Sequence, residues 1–134
     1  SRDRLIDLVD SSQSSRILFL AHNGPTGLGK QRHDIWGCDF RKSEGDFGDP
    51  DLRAAIERAK ATGKKVAAVV AGHMHHQLKG GGTRTWQVQD DHVQYINAAR
   101  VPRIESQGGL QLHHHVLLEI SENDTKTEAV TIPL

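Results

Sequence analysis

Two apolar runs stand out from an otherwise polar chain. Arg16-Ile17-Leu18-Phe19-Leu20-Ala21 and Val66-Ala67-Ala68-Val69-Val70 are both bounded by polar or turn residues, which is the pattern of strands buried in a parallel sheet. Between them Leu52, Ala55, Ile56 and Ala59 recur at helical spacing and form one apolar face. Asp49 suits the N-cap, Pro50 the first helical position and Gly63 the residue just past the end. Strand, helix and strand in that order predict a parallel βαβ unit. Upstream, Arg4 to Val9 reads as the tail of an amphipathic helix, and Asp10 to Ser15 as a polar linker.

Downstream of the second run the period changes. Lys79 to Thr83 is a glycine-rich loop. Arg84–Val88 and Val93–Asn97 then read as a hairpin about Asp90-Asp91-His92. Val116–Ile120 and Glu128–Ile132 make a further antiparallel pair about Ser121 to Asp124. Gly24 to Asp49 is a long, charged connection without periodicity, and loops of that length are functional or disordered. The expected class is mixed α/β (α+β), a parallel βαβ unit followed by antiparallel strands.

Both buried strands deliver a histidine to their carboxyl ends. The first runs into His22-Asn23-Gly24-Pro25, the second into Ala71-Gly72-His73-Met74-His75-His76. Residues two apart in a strand share a side, so His73 and His75 are expected to project together into the crevice where open α/β sheets bind ligands. With His22 from the neighbouring strand, three imidazoles would face one pocket, a set that suits zinc, manganese or iron.

These segments resemble the carboxyl-terminal half of a calcineurin-like metallophosphoesterase. Leu18 to Pro25 is similar to that family's fourth motif, and Val70 to His75 to its Gly-His-x-His motif. Tyr95 to Arg100 is similar to the segment that usually carries an Asn-Pro-Gly-Ser turn, with Ala98-Ala99 as a departure. The stretch Ala21 to Trp36, with Asn97 to Ile104, is most similar to an uncharacterised branch from photosynthetic lineages. The resemblance implies the carboxyl-terminal half of a four-layer αββα sandwich, with residues 1–134 as a partial domain. It implies a phosphoric-ester hydrolase with two divalent cations (Mn, Fe or Zn) in the complete enzyme. His22 and His73 would hold one cation and His75 the other. The cations would share a hydroxide that attacks phosphorus.

The family's first three motifs do not precede His22, and Gly45-Asp46-Phe47-Gly48-Asp49 has the wrong spacing for the second. The general acid is therefore expected upstream of this chain, and the chain alone is expected to be an inactive fragment. The partners this implies are a phosphate-ester substrate, a complementary amino-terminal half and a second copy covering exposed sheet. Candidate substrate contacts are Asn23, His76, Arg100 and Arg103. The arginines qualify because guanidinium groups clamp phosphate with paired donors. His33, Asp34 and Asp39 in the long loop are candidates for the rim of the site. His113-His114-His115 leads into a strand, so alternate members should face opposite sides. Two other readings fit the same residues: a non-catalytic scaffold or interaction module, and a small mononuclear zinc protein using His22, His73 and His75.

Composition narrows the field. The chain has 134 residues, one domain's worth, and a formal net charge of zero, so nothing favours a polyanion such as nucleic acid. A single cysteine, Cys38, excludes an internal disulfide and fits a reducing, cytoplasmic compartment. No apolar run is long enough to be read as a membrane span.

Overall fold

The computed structural model describes residues 1–134 and contains two helices and seven strands in two sheets. Helix α1 (Arg2–Ser11) leads into β1 (Arg16–Leu20), α2 (Pro50–Ala61) and β2 (Lys65–Ala71). Then follow β3 (Gln87–Asp90), β4 (Val93–Asn97), β5 (Ile104–Gln107), β6 (Leu110–Ile120) and β7 (Thr125–Pro133). The first sheet has the order β1-β2-β4-β3, with β1, β2 and β4 parallel and β3 antiparallel to β4. The second is the antiparallel meander β5-β6-β7.

The βαβ unit forms as its sequence dictates. The Asp49 carboxylate accepts from the backbone N–H groups of Asp51 and Leu52, satisfying donors that the first helical turn leaves orphaned. Pro50 opens α2, and Gly63 follows its end at φ 77°. Leu52, Ala55, Ile56 and Ala59 are all buried, packed with Val66, Val69 and Tyr95 of the sheet. Helix α1 joins this layer through Val9, and Arg58 of α2 holds Asp10 through paired bonds of 2.8 and 2.9 Å.

The second sheet stacks on the other face of the first. Ala68 and Ile96 are fully buried there, and Val70 and Ala98 share a cavity with His114, Val116 and Leu118 of β6. The layers are thus a helix pair, a mixed sheet and an antiparallel sheet. The fold is mixed α/β with two sheets, as the patterning predicts. Three layers are present, with both helices on one side of the first sheet, against the half of a four-layer sandwich that the resemblance implies.

Several local expectations need correction. Strand β3 begins at Gln87, because Arg84 is drawn inward as a buried anchor. Asp91 and His92 make the two-residue turn to β4, with φ values of 46° and 63°, as a right-twisted hairpin requires. The long connection is neither disordered nor mostly solvated. It sends Ile35, Trp36 and Cys38 into the core, and Trp36 lies edge-on to Tyr95 at 6.5 Å. Gly24 is obligatory beneath it, because a Cβ there would collide with the indole.

Candidate functional site

The carboxyl ends of β1 and β2 bring His22 and His73 together. Nε2 of His22 and Nδ1 of His73 are 3.0 Å apart, with the rings edge to face at 4.8 Å. Both side chains are exposed. His75 does not complete a triad. Strand β2 ends at Ala71, before the histidines, and His73 sits at φ 69° between Gly72, whose carbonyl accepts, and Met74, whose N–H donates at 2.9 Å. That i→i+2 bond around a residue with positive φ is a γ-turn. It breaks the two-residue alternation on which the pairing of His73 and His75 depended. It also buries Met74, whose carbonyl accepts from Nδ2 of the fully buried Asn97 at 2.7 Å.

The remaining candidates are placed as follows. Asn23 is committed to its own turn: Nδ2 donates to the Phe47 carbonyl at 2.6 Å and Oδ1 accepts from the Gly24 N–H. His76 is half-buried and donates from Nε2 to the Asn97 carbonyl at 2.7 Å. Its ring faces that of His114 at 6.4 Å. Burial pushes the pKa of His76 below its ordinary value, against the Asn97 bond, and Arg100 and Arg84 push the same way. His114 is lowered likewise, by burial first and then by Arg100 and His76. Arg100 is paired with Glu105 at 2.6 Å. With His76 and Trp86 it lines a cleft of about 300 Å³. Arg103 lies on a different cavity, beside His114 and Val116, so the two arginines do not converge. His113 and His115 share a face of β6, their rings 5.0 Å apart, while His114 turns to the other side and is buried.

The residue that sequence reasoning missed is Arg84. Its guanidinium donates to the carbonyls of His75, Arg32, Asp34 and Gly37 and to the Asp39 carboxylate. It clamps the long connection against the histidine turn. No local signal marks it, because all its acceptors are distant in sequence. Asp34 and Asp39, expected at a substrate rim, serve this frame instead: Asp34 holds the Gln31 N–H, and Asp39 holds Arg84 and the Lys79 N–H. Asp46 likewise ties Gly27 and Gly48 within the loop.

Nowhere in the chain are three or more His, Cys, Asp or Glu side chains grouped so as to hold a metal ion. His22 and His73 are a pair without a third ligand, short of what a mononuclear zinc site needs and further short of a binuclear one. This overturns the two-cation centre, the mononuclear zinc alternative, and the hydrolase and phosphatase activity that depended on them. The phosphate-ester substrate and the partners inferred from a truncated sandwich fall with it. No helix is long and apolar enough to cross a membrane. No protein-family model, curated protein or solved structure matches this chain, and with no metal-holding group in the fold the resemblance to calcineurin-like metallophosphoesterases does not stand.

Proposed function

We propose that residues 1–134 act as one non-catalytic interaction module that docks a partner protein on the exposed face of the β5-β6-β7 sheet, where apolar and charged side chains alternate. The observation that carries this is the amount of large apolar side chain left uncovered. Eleven large hydrophobic residues are exposed while only 23 of 134 residues are buried. Isolated exposed leucines need no explanation, but grouped ones mark contact surfaces. Ile104, Leu117 and Ile132 are 45, 48 and 50% exposed. Their register places them on one face of the β5-β6-β7 sheet: Ile104 and Ile132 flank His113, and Leu117 lies four residues further along β6, beside Glu128 and beyond the His115–Val130 pair. The opposite face of that sheet carries His114, Val116 and Leu118 and packs toward the first sheet. A lone, buried Cys38 fits work in a reducing compartment such as the cytoplasm.

The test is dye binding by the native chain. Anilinonaphthalene sulfonate should fluoresce with the folded protein, and the triple substitution Ile104→Ser, Leu117→Ser and Ile132→Ser should remove most of that signal while far-UV circular dichroism is unchanged. An equal signal from the folded triple variant would remove the basis for this reading.

A further inference from the structure

The β5-β6-β7 sheet is joined to the rest of the fold by a thin seam. The connected apolar core runs from Val9 to Tyr95 and takes in no residue of this sheet. After Asn97 the one buried residue is His114. A cavity of about 190 Å³ lies between Val70 of β2 and Val116 and Leu118 of β6. We propose that this sheet is an acid-released flap: protonation of His76 and His114 opens the seam at their end and uncovers the inner face that carries Val116 and Leu118. The release goes beyond the docking of a partner and needs nothing bound on the outer face.

The seam is held at two ends. At the start of β1, Nη2 of Arg16 donates at 2.6 Å to the carbonyl of Ser121, just past β6. Beyond the carboxyl ends of β2 and β4, the rings of His76 and His114 face each other at 6.4 Å. The charges around this second end are nearly all positive. Arg100, in the connection between the sheets, and Arg84, ahead of β3, bear on His76 together with His75 of its own turn. His114 meets Arg100 again, with Glu105 of β5 and His115 of its own strand, and Arg103 lines the same cavity. The anions are already committed, Glu105 to Arg100 at 2.6 Å and Asp39 to Arg84 at 2.9 Å. Nδ1 of His114 lies 3.5 Å from Nη1 of Arg100 and can face that donor only as an acceptor. A proton there sets two cations against each other. Burial is the main cause that holds both histidine pKa values below the ordinary one. Opening returns the rings to water, where imidazole takes up protons near about 6.5. The open state therefore binds more protons than the closed one just below that value, and falling pH drives the release.

Spin labels at Glu57→Cys on α2 and Gln111→Cys on β6, both exposed positions, read the seam by pulsed electron resonance. Cys38 is buried and stays unlabelled. The expected result is one distance at about pH 8 and a second, longer one that grows below about pH 6. Near-UV circular dichroism from Trp36 and Tyr95, which lie in the core, should stay constant over that range. His76→Gln with His114→Gln should cut the long population by roughly tenfold at the acid end. Arg100→Gln removes the cation that faces both rings and should move the opening to lower pH. A distance that ignores pH in the folded protein would overturn the proposal. So would equal lengthening in the double glutamine variant, or lengthening that appears only as the near-UV signal is lost. If the double variant does not fold, Arg100→Gln decides, and an unchanged midpoint overturns the proposal.

Discussion

Arg84 and Asp39, 45 residues apart, meet as a buried ion pair with Nη2 to Oδ1 at 2.9 Å. Burial pulls the Arg84 pKa below its ordinary value, and the Asp39 carboxylate opposes this. The cation is tolerated because three loop carbonyls, of Arg32, Asp34 and Gly37, receive one of its nitrogens. Replacing it with Arg84→Met leaves those acceptors and the carboxylate unpaired. The expected loss is about 3–5 kcal/mol of stability in urea unfolding. Asp39→Asn keeps an acceptor in place and should cost less.

Asn97 plays the corresponding role at the end of β4. Its amide donates to the carbonyls of Ile35 and Met74, at 3.1 and 2.7 Å, and its oxygen accepts from the Ala99 N–H. Asn97→Leu would leave three backbone groups unsatisfied, with a cost of about 2–4 kcal/mol by the same measurement.

The γ-turn at His73 gives a sharper backbone test. A β-branched residue is strongly disfavoured at positive φ, so His73→Val should destabilise by about 1–3 kcal/mol. His73→Gly should be tolerated, and thermal melts of the two variants should separate clearly. Equal melts would mean that His73 holds no such conformation in solution.

Stability should fall on the acid side because of His76 and His114. Burial lowers both folded pKa values below the ordinary 6.5. Between the folded value and 6.5 the unfolded chain binds more protons, so stability rises with pH through that window. The contribution is complete above about 6.5 and is lost as pH drops toward the folded values. Melting temperature measured against pH should therefore decline below neutrality. The decline should be shallower in the double variant His76→Gln, His114→Gln.

What the sequence revealed and what it hid divide along physical lines. Helix α2 was legible because its N-cap, first-turn proline and apolar face are local chemistry, and the Asp91-His92 hairpin for the same reason. The alternation at His113 to His115 was legible too, since it depends only on strand periodicity. The packing of Ile35 and Trp36 was not, because it depends on Gly24 and Tyr95, remote in sequence and without periodic signal. The triad of His22, His73 and His75 fails at one residue. Strand alternation stops at Ala71, where Gly72 and His73 turn the chain, so the spacing of His73 and His75 no longer gives them a shared side. Arg84 escaped notice because an arginine at the start of an expected strand shows no sign of burial until its acceptors are known.

The docking face of the second sheet is the central claim, and crosslinking tests it most directly. A photoreactive amino acid in place of Leu117 should crosslink a defined partner in extracts of the source cells, and Ile132→Glu in the same protein, folded by circular dichroism, should abolish that crosslink. A crosslink indifferent to Ile132→Glu, or none at all, would contradict it.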